Sequence, residues 1–286
     1  MPDTFWSNTI WYVLLIIISF ISIVLTLCKS NNRKFSIGFI LTILGATFHA
    51  EFVLLPILNA YMYFPKIFND LFIDSVFGNY VSQISITATV VLATAYRIPT
   101  AWYLVIAGIY FFIEELFIKL SIYQHNWYKT WYTSILILPL LWLSRKWYSH
   151  LQKCPKSIIY TISLYLGARA VFSLIIVFKF FLSIEVYNII TVFSEFTRNN
   201  SIFLVPAASI WIIIMVIIHQ LDIKWIWKGS FFVLLFIIQY VLIKIVGVIT
   251  IKDGWFLIIT LLNIFGSYLS VVVTDYLLSK GIATNS

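Results

Sequence analysis

The sequence predicts an all-α fold, a polytopic transmembrane helix bundle of about nine spans. Three observations carry that reading. Asp3 is followed by no further Asp, Glu, Lys or Arg until Lys29, and long apolar stretches recur as far as Asp275. The chain is 62% hydrophobic and only 10% charged, whereas a soluble domain carries about 25% charged residues. Roughly 20 apolar residues in helical conformation cover about 30 Å of hydrocarbon, so each stretch is long enough to cross a bilayer.

Taken in order, the spans read as residues 9–28, 36–64, 80–96, 101–123, 129–143, 157–182, 202–220, 229–248 and 254–278. The first lacks a Lys/Arg-rich leader and an A-x-A cleavage site, so it reads as a retained helix. The second is longer than a bilayer requires, and Pro56 predicts a kink or break in it. Residues 65–79 are too polar to span and read as an interfacial or re-entrant helix, which 183–198 resembles. No Ser/Gly/Pro-rich linker occurs, so residues 1–286 read as one integral membrane domain.

The net charge of +8 excludes nothing by itself, but the basic residues are not gathered on a soluble recognition face, which argues against nucleic acid. They sort instead by loop. Eleven, from Lys29 to Lys280, fall on one side, against Lys66, Lys129, Arg198 and Lys252 on the other. The positive-inside bias then places the N-terminus outside and the C-terminus in the cytoplasm. Ten of the eleven tryptophans, all but Trp211, fall near these interfaces. The two cysteines, Cys28 and Cys154, have no Cys-x-x-Cys or histidine spacing around them, so neither a disulfide nor a metal is expected. No cofactor motif occurs.

Landmarks recur in order along the chain. Leu44-Gly45-Ala46 returns as Leu166-Gly167-Ala168, Asn69 as Asn188, and Asn79 as Asn199. Glu114 and Lys119 return as Gln239 and Lys244 at one common offset, and Trp127 as Trp255. This suggests two four-span repeats, residues 35–154 and 155–286, with residues 1–34 outside the repeat. An even number of spans per unit gives a parallel repeat about an axis along the membrane normal; chance likeness of apolar helices is the alternative.

The stretch from Phe68 to Ile137, with its polar connector, its glutamate-bearing span and its closing H-N-W-Y-K-T-W, resembles small polytopic membrane proteins of spore-forming Firmicutes. The K-D-G-W that follows Lys244 resembles the same class. The resemblance implies a bacterial plasma membrane. It brings no established activity, and no site residue follows from it.

Ionisable groups inside a span cost on the order of 2.5 kcal/mol or more, so each requires a partner or a purpose. At 1.5 Å per residue, Glu51, Glu114, Glu115, Arg169 and Lys244 all lie roughly 18–23 Å from the cytoplasmic end of their spans. Glu51, Glu114, Arg169 and Lys244, with His49 and Gln239, are therefore the candidate substrate-binding residues. Glu51 or Glu114 is expected to pair with Arg169 or Lys244 across the two halves. Glu115 and Lys119, four apart on one helix face, are expected to form a structural ion pair. Lys179, His219 and Asp275 sit near span ends, where they can snorkel.

Glu114-Glu115-Leu-Phe-Ile-Lys119 resembles the E-E-x-x-x-R motif of intramembrane CAAX proteases (the Abi family), in which a glutamate activates water. Lys119 replaces the arginine, and the family's later F-x-x-x-H histidine motif is missing. Three function classes follow. A transporter- or channel-like protein for a small solute or ion predicts a water-reachable cavity at Glu114, Arg169 or Lys244. A non-catalytic membrane partner or sensor subunit predicts these charges sealed in ion pairs. An intramembrane enzyme predicts a histidine within hydrogen-bond reach of Glu114.

Overall fold

The computed structural model describes residues 5–153 and 157–279; Cys154, Lys156 and Lys280 lie outside them. The fold is all-α. Nine helices run through the described residues: α1 (Phe5–Lys29), α2 (Arg33–Ile57), α3 (Leu71–Ala95), α4 (Ala101–Lys119), α5 (Thr130–Lys153), α6 (Ile158–Phe181), α7 (Phe196–Gln220), α8 (Trp225–Ile245) and α9 (Phe256–Ser279). Eight are long and apolar enough to cross a membrane. The exception is α5, whose second half carries Arg145, Lys146 and Lys153.

Short strands join the helices in pairs. β1 (Tyr61–Tyr63) follows α2 and pairs antiparallel with β2 (Tyr123–His125), which follows α4. β3 (Glu185–Tyr187) follows α6 and pairs with β4 (Ile249–Ile251), which follows α8. Backbone polar groups past a helix end cannot be left bare near hydrocarbon; the following turns satisfy the helix-end carbonyls, as Ala60 N–H does Leu54 O, and the ladders satisfy the strands. The order helix, strand, helix, helix, strand, helix thus occurs twice, as α2–α5 and as α6–α9. We refer to these as the first and second units.

The long second span of the sequence reading ends early. Pro56 has no N–H to donate, the last turn of α2 widens to π geometry over Val53–Ile57, and the chain turns into β1 through Asn59 at φ +48°. Residues 65–79 are not an interfacial helix either. Asp70 caps α3, accepting from the Phe72 and Ile73 N–H groups at 2.9 Å each, so the helix begins at Leu71. The turn before it is held by Asp74, whose carboxylate accepts from the N–H groups of Lys66, Ile67 and Phe68 at 2.9, 2.8 and 3.0 Å. Asn199 does the same for the second unit, its Oδ1 accepting from Val192 and Phe193 N–H at 2.7 and 3.2 Å. Hydrogen bonding therefore aligns Asn199 with Asp74 rather than with Asn79. Likewise Asn188 donates to Val248 as Phe64 donates to Ile122, so its counterpart is Phe64 rather than Asn69.

The two units meet along α2 and α6. A Cβ at Gly45 would lie 1.9 Å from the Leu166 carbonyl oxygen, so the backbones touch there without a side chain between them. Thr42 Oγ1 donates to Gly38 O at 2.9 Å and lies 3.3 Å from Ser163 O on α6. At the strand end, Arg198 Nε donates to Pro56 O at 2.8 Å and Thr197 Oγ1 to Asp70 Oδ1 at 3.3 Å. Helix α1 stands against α3 and is fastened at the same end, where Tyr12 donates to Ile122 O at 2.6 Å and Asn8 to Phe64 O at 2.8 Å.

The close approach at Gly45 is directly testable. Gly45→Ala forces the α2–α6 pair apart and is expected to cost about 1–3 kcal/mol of stability. Gly108→Ala, in the middle of α4, meets nothing within 4 Å and is expected to gain about 0.5–1 kcal/mol from helix propensity. Thermal unfolding in detergent micelles checks both, and equal responses would contradict the packing described.

Candidate functional site

The first unit contains a partly open cavity of about 270 Å3. On α2, Ala46, Thr47, Ala50, Glu51 and Leu54 line it, positions that share one helical face. Small alanines at two of those positions leave room in front of the glutamate. On α4, Tyr110, Ile113, Glu114 and Phe117 line it with the same i, i+3, i+4, i+7 spacing. Helix α1 adds Leu15, α3 adds Ser82, Gln83 and Ser85, and α5 adds Thr133 and Ile137. Tyrosines of the first strand pair and the loop after it, Tyr61, Tyr63, Tyr123 and Tyr128, close the end of the cavity.

Glu51 and Glu114 therefore face one space from different helices. Glu51 accepts a short hydrogen bond from the Tyr61 hydroxyl. Glu114 Oε1 accepts from His125 Nε2 at 2.7 Å. No lysine or arginine lies within 4.0 Å of either carboxylate among the described residues. Burial, reinforced by the neighbouring carboxylates, pushes the phenols of Tyr61 and Tyr63 well above the usual tyrosine range. Tyr123 is raised by burial and by its ring neighbour Tyr63, and Tyr128 is pushed up to about 12 by burial. All four are neutral hydroxyl donors at physiological pH.

A smaller cavity, about 70 Å3, lies between the units and is lined by Arg169, Asn79 and Glu51, so Glu51 borders both spaces. Arg169 is only 4% exposed, and its Nε donates to Ser209 at 3.2 Å. Its Nη1 and the Asn79 Oδ1 have no partner among the described residues. An orphaned donor and an orphaned acceptor beside a space of about two water volumes fit bridging water.

The remaining sequence candidates fall elsewhere. Neither Glu51 nor Glu114 forms an ion pair with Arg169 or Lys244; helix rotation turns these basic groups to other partners. Lys244 lines neither cavity and stands 5.5 Å from the centroid of the Phe256 ring. Gln239 is buried in α8 with its Oε1 unpartnered among the described residues. His49 lies at the α2–α6 contact. Its Nδ1 donates to Gly45 O at 2.7 Å, which leaves Nε2 to accept from the Tyr165 hydroxyl at 2.7 Å. The Glu115–Lys119 ion pair does not form; Glu115 Oε1 accepts instead from the Thr130 hydroxyl at 2.5 Å.

Lys179 does not snorkel. In the second unit its Nζ donates to Glu185 Oε2 at 2.6 Å and to Asn263 Oδ1 at 2.9 Å, while Tyr187 donates to Glu185 Oε1 at 2.8 Å. The pair is sealed, with side-chain exposures of 3% and 1%. His219 and Asp275 also pair, Nε2 to Oδ2 at 3.3 Å, and Tyr160 donates to the other Asp275 oxygen at 2.5 Å. Sequence reasoning missed His125 as the partner of Glu114 and Glu185 as the partner of Lys179. His125 reads from the sequence as a loop residue and Glu185 as part of the polar connector 183–198; strand pairing sets His125 opposite Tyr61, beside Glu114.

No protein-family model, curated protein or solved structure matches this chain. The fold and its interior define a polytopic helical membrane protein with a largely apolar cavity in its first unit, lined by two carboxylates, and a buried ion pair in its second.

That contrast makes a prediction. Lys179→Met leaves Glu185 buried and uncompensated, and is expected to cost about 3–5 kcal/mol. The double variant Lys179→Met, Glu185→Gln removes both charges and is expected to recover most of that loss. Unfolding in micelles measures both, and a single variant as stable as the parent would contradict the sealed pair.

Proposed function

We propose that this chain is a transporter- or channel-like protein, which admits a small solute or ion to the cavity of its first unit. The observation that carries the reading is the position of Glu51 and Glu114. Two carboxylates at span depth, with no lysine or arginine beside them, are costly unless they are hydrated, protonated or meet a ligand. The second unit shows the alternative, in which a charge at span depth is neutralised and closed off by its partner. A purely scaffolding subunit has no need of the difference. The sequence placed the polar site between the two halves; the larger cavity lies within the first, and only the small Arg169 cavity lies between them.

Two further elements belong to this proposal. The units are a parallel duplication, supported by the repeated order of helices and strands and by the matching roles of Asp74 and Asn199. The protein sits in a bacterial plasma membrane with its N-terminus outside, supported by the bias of basic residues toward one set of loops. In that orientation both strand pairs, and the tyrosine-lined end of the cavity, face outward.

One observation favours a second reading. A histidine within hydrogen-bond reach of Glu114 is the feature an intramembrane enzyme requires, and His125 supplies it at 2.7 Å. A His–carboxylate pair beside Thr133 and a hydrated space is competent to move a proton to or from water. An enzyme of this kind loses turnover in both Glu114→Gln and His125→Asn, whereas solute admission needs only the cavity.

Accessibility tests the first reading. In a background carrying Cys28→Ser and Cys154→Ser, Ser82→Cys and Thr133→Cys are expected to react with small charged thiosulfonates in folded membranes. The rate is expected to exceed that of Ser267→Cys, buried in the second unit, by at least about tenfold. No reaction at Ser82→Cys and Thr133→Cys from either side would overturn the proposal.

A further inference from the structure

The charge and shape of the first-unit cavity narrow the class of solute, and this step rests on the reading just given. The lining contains Glu51 and Glu114 and no lysine or arginine. The other polar groups in it are uncharged hydroxyls and the Gln83 amide. An anion placed there would face two carboxylates with no counter-charge. A neutral solute would add no counter-charge, leaving Glu51 with the Tyr61 hydroxyl and Glu114 with His125. A cation is the one class that removes the cost of holding them inside the bilayer.

The closed end of the cavity points the same way. The rings of Tyr61 and Tyr63 stand 5.6 Å apart by centroid, Tyr61 and Tyr123 5.4 Å, Tyr61 and Tyr128 5.1 Å, and Tyr63 and Tyr123 4.6 Å. These neutral phenol rings line the cavity, and aromatic rings attract a cation, best matched by one carrying alkyl groups. The hydrogen bond from Tyr61 anchors Glu51 against this cluster, and His125, stacked edge-on to Tyr123 at 5.1 Å, anchors Glu114 beside it. Carboxylates and rings are thus gathered at one end.

The other walls decide between a bare metal ion and an organic cation. Ca2+ takes about six to eight oxygen ligands and Mg2+ keeps an octahedral shell. No group of three or more His, Cys, Asp or Glu residues suited to a metal occurs among the described residues. Toward α5 the lining is instead aliphatic, with Ile86, Ile113, Leu136, Ile137 and Leu140. A volume of about 270 Å3 equals the liquid share of about nine waters at about 30 Å3 each, room for a molecule of choline size.

We propose that the first-unit cavity binds a small alkylammonium ion, its charged nitrogen between Glu51 and Glu114 against the tyrosine cluster, and its alkyl or hydroxyalkyl part against the aliphatic wall of α3, α4 and α5. In the second unit Glu185 already has Lys179 as its counter-charge, so one cation site is expected per chain.

Binding to the full-length protein in lipid nanodiscs tests this, with choline chloride as the cation, 3,3-dimethylbutanol as its uncharged carbon isostere and propionate as an anion. Choline is expected to bind by isothermal titration at least about tenfold more tightly than the isostere. Propionate is expected not to bind. Glu51→Gln and Glu114→Gln should each weaken choline about tenfold or more. Ala50→Leu keeps every charge but reduces the space; it should weaken choline while leaving methylammonium bound, which keeps the inference testable where a glutamate variant does not fold. Equal binding of choline and isostere, binding of propionate, or no binding of any ammonium ion would overturn the alkylammonium assignment. The transport reading is separate: it stands where the cavity cysteines label, and falls where they do not.

Discussion

The structure depends on one constraint, the cost of leaving a polar group without a partner in hydrocarbon. It explains why helix ends at one side of the bundle are tied by short antiparallel strands, and why Asp74 and Asn199 gather the N–H groups of the turns before α3 and α7. It also explains the hydroxyl groups of Ser19, Ser22, Thr26 and Thr94, each of which donates to a carbonyl four residues earlier in its own helix. Lys179 and Glu185 obey it by closing on each other. Against that background Glu51 and Glu114 stand out, because their partners are a phenol and an imidazole rather than a fixed positive charge.

The two units share their order of elements but spend their interiors differently. In the second, α9 packs on both α6 and α7, and Asn263 reaches Lys179 in a buried polar cluster. In the first, α5 packs on α3 and α4, and the space between them and α2 stays open. Helix α1, which has no counterpart in the second unit, closes this space with Leu15 and binds the strand end through Tyr12. The larger cavity thus lies on one side of the central α2–α6 contact, where Gly45 brings the two backbones together. Glu51 borders both the cavity and the smaller space at Arg169, which makes it the one lining side chain common to the two.

Much of the fold was legible from residues alone, since uninterrupted apolar runs have one physical solution in a bilayer. The nine helices fall on the runs, and α2 ends one residue after Pro56, whereas Pro139 and Pro206 are carried inside α5 and α7. The strands were not legible. Tyr-Met-Tyr and Tyr-Gln-His are too short to show a period of two, and their apolar rings read as the ends of helices. That error hid His125 and Glu185. The shared depth of Glu51 and Glu114 was readable from spacing, but their separation from Lys244 depends on helix rotation and neighbour choice, which no single span encodes. The Tyr110, Ile113, Glu114, Phe117 stripe was a visible signal that Glu114, rather than Glu115, faces the interior.

The central claim is that water reaches the first unit's interior and not the second's. Hydroxyl-radical footprinting by radiolysis of internal water reads this directly on three tyrosines of similar burial: Tyr61 at 3%, Tyr123 at 4% and Tyr187 at 8% exposure. The account predicts modification of Tyr61 and Tyr123 and protection of Tyr187. Protection of all three, or faster modification of Tyr187, would contradict it.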